Sequence, residues 1–395
     1  FGVAGFFEGI LVFNALALLA CLWVLARLIQ RTALPQMTAV SLVAVPVIFA
    51  SAGSLPFFAA FLMPDLLAAV LLVTAALVTA YWRDMSWLEL AIVGAVGVIT
   101  VVSHLSHLAI AALLVLGAVL LCGLFARRGW WVAPLFLCFL VAVGWGQQLA
   151  FRIVAEKVTS SEVVIRPFLT ARLIQDGPGY RWLEENCPEA AIPTCKLWTA
   201  LQKSDDPYRL TASHITFETS ERLGSYRLMA QEDRKDVADT QVQFFLTVLR
   251  DKPVAVVGAL LKNTLTQAGW ASVDMTLPTD KILAANSTMH GTISGVPEHG
   301  RLSRDTGWVD GFTRLQETYY VAALALILVL LVSPSALPAS LRIFAGMMLL
   351  GLLANAFVCG GISQPATRYG ARVIWLLPLL AALMLIVASR QKEQA

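Results

Sequence analysis

Charge is scarce in this chain. Of 395 residues only 14% are Asp, Glu, Lys or Arg, while 58% are hydrophobic and the mean hydropathy is +0.72. Soluble domains carry about a quarter charged residues, so a single water-soluble globule fits poorly. The same pattern excludes a disordered, collagenous or coiled-coil chain. Basic blocks are lacking too: the net charge of +3 is small and dispersed, which leaves nucleic-acid binding without support. Internal repeats and low-complexity tracts are missing. The polar region holds no Walker loop, GxSxG elbow, HExxH or CxxC, and so none of the commonest signatures of nucleotide, serine-hydrolase or zinc chemistry.

The charges that are present crowd into residues 151–316 and thin out on either side. A bilayer core needs roughly 20 apolar residues in a helix. Apolar runs of about that kind occur at Gly9–Leu28, Met37–Gly53, Leu66–Trp82, Trp87–Val102, Leu108–Phe125, Trp131–Ala150, Tyr319–Val332, Leu341–Val358 and Val373–Ser389. The expected fold is therefore an all-α polytopic membrane protein with about nine spans. Residues 1–150 would hold the first six, 151–316 a mainly helical extracytoplasmic insert, and 317–395 the last three with a cytoplasmic tail. Pro46 within the second run implies a kink.

Orientation follows from basic residues in short loops. Arg27 and Arg31, Arg83, Arg127 and Arg128, Arg342, then Arg390 and Lys392 fall at alternate connections. The connections Ser54–Asp65 and Ser103–His107 contain no Lys or Arg. The expectation is a bacterial inner membrane, with the basic connections cytoplasmic and the insert periplasmic. The chain begins with Phe1 rather than Met, so a removed signal peptide or preceding spans are both open.

Four of the six cysteines, Cys21, Cys122, Cys138 and Cys359, lie in or beside apolar runs, where a thiol behaves as a small hydrophobe. Cys187 and Cys195 sit in the polar stretch NCPEAAIPTC. A disulfide between them suits a periplasm; two reduced, partly buried thiols are the alternative. In the insert, Ser225–Arg250 reads as one helix and Pro253–Trp270 as a second, whose composition suits the membrane surface. Met275–Gly311 reads as extended loop. Asn286-Ser-Thr matches a glycosylation sequon of a kind that arises by chance, and His214, His290 and His299 are scattered.

Ionisable groups near membrane depth are costly and usually have a partner or a task. Asp65 opens the third run behind Pro64, and reads as a helix cap, a functional carboxylate, or both. His104 and His107 are three apart and share a face if helical, which suits a divalent metal with Asp65 as further ligand, a phosphate, or a proton shuttle; a polar turn is the alternative. Arg368 and Arg372 are four apart and break the charge bias of the other short loops. Paired guanidiniums suit phosphate or pyrophosphate, with lipid-headgroup contact or an ion pair to the insert as the competing reading. Glu8, Asn14, Gln147, Gln148 and Asn355 are lesser candidates, the last as glue between helices.

The Arg368-Tyr369 element leading into Trp375-Leu-Leu-Pro378, with the membrane architecture, resembles the GT-C type of membrane glycosyltransferase. Those enzymes draw sugars from polyprenyl-phosphate or -diphosphate donors in cell-envelope polysaccharide or glycolipid assembly. The likeness covers the membrane part loosely and the insert hardly at all. It implies Asp65 as general base, Arg368, Arg372 and Tyr369 around the donor phosphate, and His104 and His107 assisting through the acceptor or a divalent metal. The family's acidic residue lies in the first outer loop, after the first span, so either that loop is missing from this chain or Asp65 or Glu8 substitutes for it here. Expected partners are membrane lipids, the polyprenyl-linked donor, and proteins met through the insert. An O-antigen ligase or polymerase, a lipid-linked substrate transporter, and a non-catalytic subunit of a membrane complex are the rival readings.

Overall fold

Sixteen residues without a charge, Leu66–Tyr81, form a helix buried along its whole length. A helix apolar on every side belongs at the centre of a bundle, because each face must be covered. The structure, a computed structural model, describes residues 8–125, 129–160, 163–277, 307–333 and 337–394. Among these, every regular element is helical. The chain falls into two compact units: Phe1–Gln147, Ala268–Asn355 and Thr367–Ala395 make the first, Gln148–Gln267 and Ala356–Ala366 the second.

In the first unit, α1 (Glu8–Thr32), α2 (Ala39–Ser51) and the short α3 (Leu55–Ala59) lead to the central α4 (Leu66–Tyr81). Then come α5 (Trp87–Ser103), α6 (Leu105–Leu124) and α7 (Val132–Thr159), the last of which runs on beyond this unit. Helix α4 packs against α1, α5 and α6. Ser86 and Glu89 start α5 with a reciprocal capping box, and Glu89 also takes Arg31 from the end of α1 at 2.8 and 3.0 Å. Trp87 is exposed at the same helix end, and Arg83 lies over the Trp82 ring, the amphipathic composition typical of a membrane–water boundary.

Among the described residues, six helices are long and apolar enough to cross a membrane: Gly9–Thr32, Leu105–Leu124, Val132–Thr159, Trp308–Val332, Ala339–Ser363 and Thr367–Gln391. Ala39–Ser51, Leu66–Tyr81 and Trp87–Ser103 are apolar but shorter. Leu16, Leu116, Leu120 and Val332 are exposed, and lipid rather than water is the solvent that accommodates such faces. This is an all-α membrane protein.

The expected boundary of the polar region at 316 is not where the structure divides the chain. Helix α15 (Trp308–Val332) begins well before the apolar run at Tyr319 and belongs to the first unit. Its opening turns carry Asp310, Arg314 and Glu317, which hide the helix from a hydropathy window. They also carry Trp308 and Phe312, whose rings meet Phe57 at 6.3 and 5.6 Å. Aromatic packing, rather than mean hydropathy, fixes this end.

The second unit holds α8 (Phe168–Gln175), α9 (Pro178–Asn186), α10 (Pro193–Leu201), α11 (Ala212–Phe217), α12 (Gln231–Asp239), α13 (Gln241–Asp251) and α14 (Pro253–Gly269). They close over Leu183, Leu197, Ile215, Phe244 and Val248. The single helix expected over Ser225–Arg250 is instead a short turn at Tyr226–Leu228 and two helices. The Thr240 hydroxyl bonds back to the Asp236 carbonyl, and a new helix starts at Gln241. Cys187 and Cys195 form a disulfide, with their Cα atoms 5.6 Å apart. Buried Arg209 donates to three carbonyls, those of Ala200, Glu221 and Arg222. The Arg172–Asp176 ion pair is joined by Asn263 of α14, and burial pushes the Asp176 carboxyl upward against the pull of Arg172. The stretch 278–306, with Asn286, His290 and His299 and most of the expected loop, lies outside the described residues, as do Arg127 and Arg128 and the side chains of Glu8 and Lys392.

The first unit resumes with α15 and α16 (Ala339–Ala356). A π-helical turn, Phe357–Ser363, follows within the second unit, and α17 (Thr367–Ile374) and α18 (Leu376–Gln394) complete the first. The π turn lies against α14 so closely that a Cβ on Gly360 would stand 2.4 Å from the Gln267 Cβ and 2.7 Å from the Asn263 carbonyl oxygen. Gly360→Ala should therefore lower stability by about 1–3 kcal/mol, read as earlier thermal unfolding in detergent. Gly258→Ala, at a helical position with open space around it, should not.

Candidate functional site

The arginine-bearing helix α17 is short and held by side chains from elsewhere in the first unit. The Thr367 hydroxyl bonds to Asp274 at 2.5 Å. The Asn355 amide donates to the Tyr369 carbonyl at 2.8 Å, the Ser54 hydroxyl to the Ala371 carbonyl at 2.5 Å, and the Trp375 indole to the Arg372 carbonyl at 2.9 Å. The last carbonyls of any helix lack internal partners, and here side chains supply them. The result is a fixed ledge carrying Arg368, Tyr369 and Arg372.

Asp65 faces that ledge. It precedes α4 as a cap would, but its backbone is already helical (φ −62°, ψ −35°) and its side chain caps nothing. The cap-only reading is thereby corrected. The carboxylate turns instead to the arginines, with Oδ1 3.4 Å from Arg372 Nη1 and 3.7 Å from Arg368 Nε. Asp65 is 4% exposed and Arg372 1%. Ions so far from water need close partners, since desolvation costs several kcal/mol for each.

The two arginines divide the work. Arg372 also donates to the Asn355 amide oxygen, at 2.9 and 3.2 Å, and to the Ser106 hydroxyl at 3.3 Å. It is a buried cross-link between α16, the start of α6 and Asp65. Arg368 keeps 22% of its side chain exposed and donates to the Tyr369 hydroxyl at 3.3 Å. Both guanidiniums lie 5.0 Å from the centre of the Tyr369 ring, where a cation is attracted to the π-face. The expected pair of equivalent phosphate ligands thus resolves into one internal cation and one that still reaches solvent.

The histidines do not share a helical face. His104 is extended (φ −156°, ψ 139°) and serves as the N-cap of α6, its Nδ1 accepting from the Ser106 amide at 3.1 Å. It therefore carries its proton on Nε2. His107 lies in the first turn of α6, fully buried, with Nδ1 2.8 Å from the Thr100 carbonyl, which can only accept. Its proton is on Nδ1, and its buried Nε2 has no hydrogen-bond partner. The rings are 5.4 Å apart in opposite tautomers. Among the described residues no three His, Cys, Asp or Glu side chains are grouped to hold a metal ion. The expected Asp65–His104–His107 ligand set is corrected on that ground: each Nδ1 serves its own backbone and the carboxylate serves the arginines.

Asp65, Arg368, Tyr369 and Arg372 therefore stand together, and His104 joins them through Ser106, whose hydroxyl lies 2.8 Å from His104 Nδ1. Asn355 does act between helices. Asn14 and Gln147 have buried amide atoms without hydrogen-bond partners. His214 belongs to the second unit, its ring against the Thr211 hydroxyl. Ser54, Ser106 and Asp274 are absent from the sequence-derived candidates. For Ser106 a signal exists, since S-H-L-S-H places it between the two histidines. Ser54 and Asp274 carry none, as their partners are distant in the chain. Comparison with known protein families, with curated proteins and with solved structures finds no match.

Removing one member of a buried ion pair strands the other. Asp65→Ala should cost about 3–5 kcal/mol of stability. The double change Asp65→Leu with Arg372→Met should recover part of it. A double-mutant cycle in detergent, with each protein followed by thermal unfolding, measures the coupling between the two positions.

Proposed function

We propose that this chain is a membrane glycosyltransferase acting at the outer face of a bacterial cytoplasmic membrane, with a polyprenyl-phosphate or -diphosphate sugar as donor. About nine spans and a periplasmic second unit belong to the same reading. The observation that carries it is the partly exposed Arg368 guanidinium beside the buried Asp65 carboxylate, on a helix whose own backbone is tied down from several sides.

The chemistry proceeds as follows. Arg368 binds the donor phosphate and Arg372 holds Asp65 in place. Both arginine contacts use Oδ1, so Oδ2 is the oxygen that takes the proton from the acceptor hydroxyl. The acceptor oxygen bonds to the anomeric carbon as the bond to the phosphate oxygen breaks. The electron pair leaves with the phosphate, whose growing charge faces Arg368. The Tyr369 hydroxyl, which accepts from Arg368, orients that guanidinium.

A second reading has its own observation. Arg372 is engaged by Asp65, Asn355 and Ser106 at once, as in a lock that only joins helices. The two readings separate at Arg368. In proteoliposomes supplied with polyprenyl-phosphate and -diphosphate hexoses, Arg368→Gln should cut sugar transfer about a hundredfold while leaving thermal stability nearly intact. Transfer unchanged in the variant, or no transfer by the wild type from any such donor, rejects the transferase and leaves the lock.

A further inference from the structure

The second unit contains a polar recess of about 300 Å3 lined by Val164, Arg166, Tyr226, Arg227, Gln231 and Arg234. Three guanidiniums meet there, and among the described residues no carboxylate forms an ion pair with any of them. Three of the four acidic residues of α12 are drawn elsewhere. Asp233 pairs with Lys196, and Glu232 and Asp236 act on the same ammonium. Asp239 is within electrostatic range of Tyr226, as are all three arginines.

The recess is also built rather than incidental. Arg166 has its Cζ 4.4 Å from the centre of the Phe217 ring, a cation–π contact that holds the guanidinium. Tyr226 is 3% exposed and its hydroxyl donates to the Arg234 carbonyl at 3.0 Å, tying α12 to the wall of the recess. Burial raises the Tyr226 phenol above its ordinary range even though the arginines pull it down, so it stays protonated and keeps this bond. The Nε of Arg234 is buried and has no hydrogen-bond partner. A buried N–H without a partner is costly, so Arg234 has no competing bond at that atom to hold its guanidinium away from the recess.

We propose that Arg166, Arg227 and Arg234 form a binding site for a phosphoryl anion, a diphosphate or a phosphate monoester, on the second unit. Arginine forks match phosphate oxygens two at a time, and three of them balance the charge of a diphosphate. Two sources present this chemistry: a soluble phosphate compound and a lipid headgroup. The inference does not depend on the transferase reading, since its residues and its test are separate from those of Arg368.

The test is calorimetric titration of the full-length protein in detergent with inorganic pyrophosphate, and with dihexanoyl phosphatidic acid as a soluble headgroup probe. The Arg368→Gln variant is titrated beside it, so that any binding near Asp65 is not counted. Binding should persist in Arg368→Gln and in Arg222→Gln, whose exposed arginine pairs with Asp206. It should weaken at least tenfold in Arg166→Gln and in Arg234→Gln, and to a smaller degree in Arg234→Lys, which keeps the charge and should fold if the glutamine variants do not. Tighter binding of pyrophosphate supports the site with a soluble ligand, and tighter binding of the lipid probe supports it with a headgroup. No binding of either, or equal binding by wild type, Arg166→Gln and Arg234→Gln, overturns it.

Discussion

One buried charge organises the first unit. The Asp65 carboxylate at the head of the central helix has to be neutralised out of reach of water, and Arg372 does so from the far end of the sequence. Because both ions are buried, neither can be moved alone. Asn355 and Ser106 complete the shell around the guanidinium, so four helices are committed to a single geometry. Packing between apolar helices in lipid is only weakly directional, and polar contacts of this kind specify which helix meets which.

That constraint gives the neighbouring arginine its character. Arg368 is carried on the same helical face and anchored by the same carboxylate, yet it remains partly exposed. A cation held next to a fully buried ion pair has little conformational freedom to lose on binding an anion. Pre-organisation of this sort is the physical basis of the transferase reading. It also explains why a lock and a binding site can share residues: the one holds the other in register.

Much of the membrane architecture was legible because it rests on composition. Apolar runs such as Leu66–Trp82 and Leu108–Phe125 correspond closely to helices, and Asp65 and Arg372 stood out because charge is rare around them. What composition could not supply was pairing. Asp65 and Arg372 are 307 residues apart and Ser54 and Ala371 are 317, distances at which a single sequence carries no register. The same limit hid the different fates of Arg368 and Arg372, which lie one helical turn apart but differ in burial. Helix Trp308–Val332 was shortened because Phe57 rewards aromatic residues that a hydropathy window dilutes with Asp310, Arg314 and Glu317. Local backbone chemistry misled twice, at Thr240, where one helix became two, and at His104, where a cap replaced a helical turn.

The length of the central helix has a consequence for the helices that enclose it. Sixteen residues at 1.5 Å each reach about 24 Å, against a hydrocarbon thickness of about 30 Å. The neighbours long enough to cross the slab are the ones that meet it, while α4 is enclosed on every side. The shortfall is therefore taken up inside the protein rather than by lipid, and the buried Asp65–Arg372 pair closes the end at which α4 begins.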